Sequence, residues 1–387
     1  MLLLKNAEVF DPEPRGRADI LVAGGRIERV APGLSLPADL CDVVDAGPSF
    51  VVPGFIDCHV HVLGGGGEGG YATRTPELRL SDAVEGGVTT VVGCLGTDGV
   101  TRSLPALLAK ARGLEEEGLT TFIYSGHYAV PLQAMTGSIE RDLLLVDKVI
   151  GAGEVAVSDH RSTQPTFDEL ARLAAEARRG GILSGKAGVV NVHLGDGPRG
   201  LALLRRLVEE TEIPASQFLP THMNRNPRLF EEAVAWVAGG GLADFTTSTV
   251  PAFVEEGEVK AALALRRMME AGAPVANLTF SSDGQGSLPR FDGEGRLVGL
   301  DVGRVTSLFA SVREAVLEHG VALPTALALI TSNPARILKL RGKGRVAEGA
   351  DADLVLLDPH ALAVTGVIAR GRWLMRDGEP LVRGTFE

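Results

Sequence analysis

The sequence predicts an α/β protein in which a closed (β/α)8 barrel carries a small β-sandwich domain built from both termini. Three observations support this prediction. The chain has 387 residues, enough for a barrel of roughly 250 residues with an appended domain. Its middle alternates apolar runs typical of strands with amphipathic runs typical of helices. Its two ends contain only short strand-like runs separated by turns.

The terminal segments predict strands joined by tight turns. Gly24-Gly25, for example, lies between two apolar runs, which is typical of a β-hairpin. The strand candidates are residues 2–4, 7–10, 18–22, 26–30, 352–358, 365–370 and 373–375. We therefore expect residues 1–50 and 346–387 to form the small domain and residues 51–345 to form the catalytic barrel.

The middle of the chain contains eight further strand candidates. They are residues 50–61, 88–96, 120–128, 154–161, 189–196, 218–224, 244–249 and 278–284. Helical patterns lie between them, for example at residues 167–179 and 199–210. Eight strands that alternate with helices predict a closed parallel barrel of the TIM type.

Composition excludes several classes of function. The 49 acidic residues outnumber the 38 basic ones, and no long basic run is present, so we expect no nucleic-acid partner. The sequence contains no apolar run of about 18 residues, so we expect no membrane span. The N-terminus lacks the basic region of a signal peptide. Three widely spaced cysteines, Cys41, Cys58 and Cys94, argue against a disulfide framework and for a cytoplasmic protein.

Histidines at the ends of the predicted strands indicate a metal site. His59 and His61 are two residues apart on a strand, so both side chains point to one face. Because catalytic residues of such barrels lie at the carboxyl ends of the strands, three later residues should meet them there. These are His193, His222 and Asp283. Imidazole and carboxylate ligands suit zinc, and other divalent first-row ions are alternatives.

Two metal ions would need a bridging ligand. Glu154, at the start of the fourth predicted strand, is a candidate because one carboxylate can bind two cations through its two oxygens. The alternative is that Glu154 is a solvated turn residue after Gly151-Ala152-Gly153, which would leave a site with one metal ion.

Six segments together resemble a known family. They are residues 53–61, 64–70, 73–77, 158–162, 221–226 and 281–287. The chain resembles the amidohydrolase superfamily of metal-dependent hydrolases and, within it, the isoaspartyl (β-aspartyl) dipeptidases, over essentially its whole length. The glycine-rich segment 64–70 and the pair His222 and Arg225 are the most specific features of this resemblance.

The resemblance implies a set of metal ligands. His59, His61 and Asp283 would hold one zinc ion, and His193 and His222 would hold the other. In better-known members a carboxylated lysine bridges the two ions, but this chain has Glu154 at that position. A glutamate offers the same two oxygens on a shorter side chain.

The resemblance also implies substrate-binding residues for a β-aspartyl dipeptide, which has one ammonium group and two free carboxylates. Glu68 would bind the ammonium group, with Gly66 of the same loop close to the substrate. Arg161 and Arg225 would bind the carboxylates, because guanidinium groups suit bidentate carboxylate binding. Ser287 and Thr97 would support them.

We expect hydrolysis of the isopeptide bond by a hydroxide that bridges two zinc ions. In this scheme Tyr128 polarises the scissile carbonyl, and Asp283 transfers a proton from the attacking water to the leaving amine. The family also suggests a homo-oligomer, for example an octamer.

The sequence leaves two alternatives open. The first is another amidohydrolase that acts on a cyclic or N-acyl amide, of the dihydroorotase, hydantoinase or D-aminoacylase type. The second is a non-catalytic scaffold, which should lack some of the metal ligands. Every expected ligand has a candidate here, which favours an enzyme.

Overall fold

The computed structural model describes residues 1–37, 39–292, 294 and 296–387. Strands from both ends of the chain form one nine-stranded sheet, in which most neighbours are antiparallel. Numbered in chain order, its strands are β1 (Leu2–Phe10), β2 (Pro14–Ala23), β3 (Arg26–Ala31), β4 (Asp42–Asp45), β5 (Phe50–Pro53), β16 (Leu354–Leu357), β17 (Val364–Ala369), β18 (Arg372–Arg376) and β19 (Glu379–Pro380).

The middle of the chain supplies eight parallel strands. They are β6 (Phe55–Val60), β7 (Val88–Gly93), β8 (Thr120–Ser125), β9 (Val149–Val157), β10 (Val189–Leu194), β11 (Phe218–Thr221), β12 (Ala243–Thr246) and β13 (Leu278–Ser281). The first six pair consecutively, and β12 pairs with β13. Backbone bonds close both gaps between the two groups. The Met223 N–H donates to the Asp244 carbonyl at 3.2 Å, and the His61 N–H donates to the Gly284 carbonyl at 2.9 Å.

The predicted barrel with a β-domain from both termini is therefore confirmed, while the exact division at residues 50 and 346 stays a prediction. One predicted strand, residues 50–61, is wrong as a single element. Its first part, β5, pairs with β16 in the terminal sheet, and only β6 belongs to the barrel. Gly54 lies between the two strands, at a point where the chain has no room for a side chain, because an added Cβ would be only 2.3 Å from Thr89 Oγ1.

Helices follow the barrel strands and cover the outside of the barrel. They are α1 (Leu80–Glu85), α2 (Leu104–Glu117), α3 (Ile139–Leu145), α4 (Phe167–Ser184), α5 (Ala202–Glu210), α6 (Pro227–Ala238), α7 (Pro251–Glu255), α8 (Ala261–Glu270), α9 (Ser307–Leu317), α10 (Leu323–Ala328) and α11 (Ser332–Ile337). The helix α4 begins with a capping box between Thr166 and Glu169, and α6 begins after Asn226, which caps it. A hairpin that was not predicted, formed by β14 (Ser287–Phe291) and β15 (Leu297–Val302), follows β13.

A buried lysine connects the terminal sheet to the barrel. Lys343 Nζ lies 2.5 Å from Asp353 Oδ2 and 2.7 Å from the Thr120 hydroxyl, at the start of β8. The side chains of Lys343 and Asp353 are only 4% and 5% exposed. Lys343 Nζ also lies 3.0 Å from Asp351 Oδ2. Because a buried charge needs a partner, the Asp353 carboxylate depends on Lys343.

We predict that Lys343→Met lowers the stability of the protein by about 3–5 kcal/mol, since it leaves the buried Asp353 carboxylate unpaired. The measurement is chemical unfolding of the wild type and the variant side by side. Lys260→Met is the control, because Lys260 pairs with Glu314 at the surface and its loss should cost less than about 1 kcal/mol. Equal stability losses in the two variants would contradict the prediction.

Candidate metal centre and substrate cavity

The carboxyl ends of the barrel strands bring four histidines and two acidic residues together. His59 lies on β6 and His61 directly after it, His193 lies on β10, and His222 follows β11. Asp283 follows β13. His222 and Asp283 have φ angles of 62° and 51°, a left-handed conformation that is uncommon outside glycine and that recurs at functional sites.

Glu154 lies at the centre of this group. It is fully buried within the nine-residue strand β9, which begins five residues earlier than predicted, so Glu154 is not a solvated turn residue. One oxygen, Oε2, lies 3.4 Å from His59 Nε2 and 3.7 Å from His61 Nε2. The other, Oε1, lies 2.8 Å from His193 Nδ1 and 3.4 Å from His222 Nε2. Each oxygen thus faces one histidine pair, as a bridging ligand would.

Asp283 faces the first pair. Its Oδ1 lies 3.1 Å from His61 Nε2 and 3.7 Å from His59 Nε2. Beside it, potential ligand atoms form two adjacent clusters, one of His59, His61, Cys94 and Glu154 and one of Glu154, His193 and His222, and the atoms within each cluster lie within 4.8 Å of one another.

The charges of the site favour a cation. Burial alone would raise the pKa of Glu154, but the surrounding histidines hold the pKa well below its ordinary value. The pKa of Asp283 is likewise lowered to about 2, because the contact with His61 outweighs burial. Burial and the neighbouring Arg225 and His193 lower the pKa of His222 to about 3, so this imidazole is neutral at pH 7. The ionised carboxylates and the neutral His222 are thus in the state in which such groups bind metal. Burial alone would lower the pKa values of His59 and His61, but neighbouring Cys94 and the carboxylates raise them well above the ordinary value, so these two imidazoles would release protons when metal binds.

Three buried atoms show that the donor set fits a metal ion. His59 Nε2, Glu154 Oε2 and Asp283 Oδ1 have no hydrogen-bond partner among the described residues. An unpaired buried polar atom costs free energy, and three such atoms that face one another indicate a shared ligand. Imidazole nitrogens and carboxylate oxygens suit a divalent first-row metal ion.

Other polar groups hold the imidazole rings in place. Asn191 Oδ1 lies 3.1 Å from His59 Nδ1, and Thr246 Oγ1 lies 2.6 Å from His222 Nδ1. Cys94 Sγ lies 3.8 Å from His61 Nδ1 and completes the first cluster. None of these three roles was predicted from the sequence, although each residue lies on or directly after a barrel strand, as the histidines do.

A cavity of about 890 Å³ opens onto the metal centre. All the predicted substrate-binding residues and Tyr128 line it, namely Gly66, Glu68, Thr97, Tyr128, Arg161, Arg225 and Ser287. His61, His193, His222 and Asp283 line the same cavity, whereas His59 and Glu154 are buried. The fold thus brings segments that are far apart in sequence to one concave surface.

The cavity contains groups of both charges. Glu68 Oε1 lies 3.2 Å from Arg161 Nη1, and its Oε2 accepts a hydrogen bond from the Ser287 hydroxyl at 2.9 Å. Arg225 Nη1 lies 3.3 Å from His193 Nε2. The Tyr128 hydroxyl lies 2.8 Å from His193 Nδ1, which places a neutral donor beside the metal centre. Burial raises the pKa of Tyr128 well above its ordinary value, so the hydroxyl keeps its proton.

The barrel, the two histidine pairs and the terminal sheet together define a metal-dependent hydrolase. The model of the amidohydrolase family matches residues 50–374, and the chain belongs to this family.

A solved structure similar to this chain is the β-aspartyl dipeptidase of Fervidobacterium islandicum AW-1 in complex with the dipeptide β-Asp-Leu. It is 48% identical, the match covers 98% of both chains, and the TM-score is 0.91. A D-hydantoinase from Thermus sp. is 17% identical over 99% of this chain and 97% of its own, with a TM-score of 0.69, and shares the fold. A dihydroorotase from Staphylococcus aureus (strain Mu50) is 41% identical over 91 residues, which span 24% of this chain and 20% of that protein.

In the described part of the chain, the longest helices are too short or too polar to cross a bilayer.

We predict that Glu154→Gln lowers the metal content of the purified protein, because an uncharged amide cannot replace a carboxylate that faces both histidine pairs. Elemental analysis by mass spectrometry measures the metal content per chain. Glu169→Gln is a suitable control, since this residue caps α4 and glutamine also supports a capping box. Wild-type metal content in Glu154→Gln would show that Glu154 is not a ligand.

Proposed function

We propose that this protein is a metal-dependent dipeptidase that hydrolyses the isopeptide bond of β-aspartyl dipeptides. The observation that carries the proposal is the charge arrangement beside the metal centre, where the Glu68 carboxylate and the guanidinium groups of Arg161 and Arg225 line one cavity. A β-aspartyl dipeptide carries the complementary set of one ammonium group and two carboxylates. An α-aspartyl dipeptide carries the same charges, so the β linkage rests on the relative with 48% identity, which was solved with β-Asp-Leu.

The charged groups of the substrate would replace the contact that Glu68 and Arg161 now make with each other. Glu68 would accept hydrogen bonds from the α-ammonium group, and Ser287 holds the Glu68 carboxylate in position. Arg161 and Arg225 would bind the two carboxylates, with Thr97 and the Gly66 backbone at the cavity wall. These contacts fix the orientation of the peptide, so that its isopeptide carbonyl faces the metal centre.

The metal site that we propose holds two zinc ions. His59, His61 and Asp283 would bind one, His193 and His222 would bind the other, and Glu154 would bridge them. When bound, such cations acidify a water molecule and polarise a carbonyl oxygen. Assembly of the chain into a homo-oligomer and its location in the cytoplasm stay predictions.

The chain's own groups handle the protons and the developing charge. The Asp283 carboxylate is ionised at neutral pH, so it can accept a proton from the attacking water and pass it to the leaving amine nitrogen. The Tyr128 hydroxyl, which keeps its proton, can donate a hydrogen bond to the carbonyl oxygen as negative charge develops on it.

A substrate panel tests the proposed specificity. We expect the wild type to hydrolyse β-Asp-Leu faster than α-Asp-Leu, hydantoin or dihydroorotate, and Glu68→Gln to raise the KM for β-Asp-Leu because the ammonium group loses its counter-charge. The kcat/KM for each compound is the measurement. A preference for hydantoin or dihydroorotate would favour the alternative class, a cyclic amidohydrolase.

A separate variant tests the proton transfer. Asp283→Asn should lower the kcat for β-Asp-Leu by at least about 100-fold, the usual worth of a positioned general acid–base group. It should keep much of the metal, because the histidines and Glu154 remain. Steady-state kinetics and metal analysis on the same sample separate the two effects, and a near-normal kcat would exclude this role for Asp283.

A further inference from the structure

Asp159 connects the metal centre to the substrate cavity. It follows β9, the strand that carries Glu154, and its side chain is 4% exposed. Oδ1 accepts hydrogen bonds from the Arg161 backbone N–H at 2.7 Å and from Arg161 Nε at 3.0 Å. Oδ2 accepts one from Arg161 Nη2 at 2.8 Å and lies 2.9 Å from His193 Nε2. One carboxylate therefore contacts a candidate metal ligand and a candidate substrate ligand.

The two nitrogens of His193 have different surroundings. Nδ1 faces the metal centre, 2.8 Å from Glu154 Oε1, whereas Nε2 faces Asp159. A neutral imidazole carries a proton on one nitrogen and a lone pair on the other, and a metal ion binds the lone pair. His193 can therefore bind metal through Nδ1 only when the proton is on Nε2.

Two neighbouring cations act against this tautomer. Arg161 Nη2 and Arg225 Nη1 lie 3.4 Å and 3.3 Å from His193 Nε2. Guanidinium nitrogens only donate hydrogen bonds, so on their own they would favour a lone pair on Nε2 and the proton on Nδ1. Asp159 Oδ2 is nearer to Nε2, accepts only, and is charged, so it favours the proton on Nε2.

We propose that Asp159 is a positioning residue that keeps the proton of His193 on Nε2 and so presents the Nδ1 lone pair to the second metal ion. The same carboxylate holds the Arg161 guanidinium plane for the substrate. This inference rests on the metal site of the proposed function. Carboxylates that orient metal-binding histidines are worth about 10–100-fold in metal affinity or activity.

Asp159→Asn is the informative substitution because it changes hydrogen-bonding chemistry with little change in shape. The single amide oxygen is best placed at the Oδ1 position, where two Arg161 donors meet it. The amide NH2 group then takes the Oδ2 position, where it can no longer accept the hydrogen bond from Arg161 Nη2 and instead donates to His193 Nε2, which moves the imidazole proton to Nδ1. We expect the second metal ion to bind about 10–100-fold more weakly in this variant.

The measurement is a competition titration with a zinc chelator on the purified holoenzyme, which resolves the affinities of the two sites without any substrate. In Asp159→Asn the site formed by His193 and His222 should bind zinc more weakly than in the wild type, while the affinity of the other site stays closer to the wild-type value. The kcat for β-Asp-Leu should fall and should recover in part with added zinc. Because the titration needs no peptide, its result stands even if the enzyme prefers another amide.

Asp11→Asn is a matched control. The Asp11 side chain is 6% exposed, and it also accepts from an arginine, Arg345, through Nε at 2.7 Å and Nη2 at 2.8 Å, and from a backbone N–H at 2.8 Å; Arg15 Nη1 lies farther away, at 3.5 Å. It lies in the terminal domain and contacts no histidine. Asp11→Asn should therefore lose similar stability and keep both zinc affinities.

Arg161→Ala is the second variant. It removes the Asp159–Arg161 pair but leaves the contact between Asp159 and His193, so it should raise the KM for β-Asp-Leu without weakening zinc binding. The proposal is overturned if Asp159→Asn binds both zinc ions as tightly as the wild type, or if Asp11→Asn or Arg161→Ala loses zinc to the same extent.

Discussion

The Glu154 carboxylate, surrounded by four imidazoles inside the barrel, is the contact on which the site depends. Its two oxygens face different histidine pairs at 2.8–3.7 Å, so it is the element common to both clusters. A buried carboxylate is costly unless cations compensate it. The histidines, and a metal ion when one is present, provide that compensation.

This arrangement constrains the surrounding fold. Glu154 is on β9, while its partners come from β6, β10 and the turn after β11, so the closed barrel must hold four separate segments in register. The bonds between His61 and Gly284 and between Met223 and Asp244, which close the barrel, also fix the ends of strands that carry ligands. Stability and site geometry therefore depend on the same backbone contacts.

The substrate cavity contains charged side chains in addition to those of the metal centre. Glu68 and Arg161 form an ion pair in the cavity, and Arg161 also donates hydrogen bonds to the Asp159 carboxylate. Such pairs satisfy buried charges until a ligand with complementary groups replaces one partner by another. A zwitterionic ligand with additional carboxylates can make this exchange, and a neutral cyclic amide cannot, which is why the charge pattern favours a β-aspartyl dipeptide over hydantoin.

The sequence alone determined the barrel, the terminal β-domain and the identity of the metal-ligand candidates, because strand periodicity and the His59–His61 spacing are local properties. Tertiary structure decided the rest. It placed Glu154 mid-strand, divided residues 50–61 between two sheets, and brought Cys94, Asp159 and Thr246 next to the imidazoles. These contacts join residues that are up to 34 positions apart or lie on different strands, and their geometry depends on how the barrel closes. No local sequence pattern specifies which of these side chains will be in contact, so only the folded chain shows these contacts.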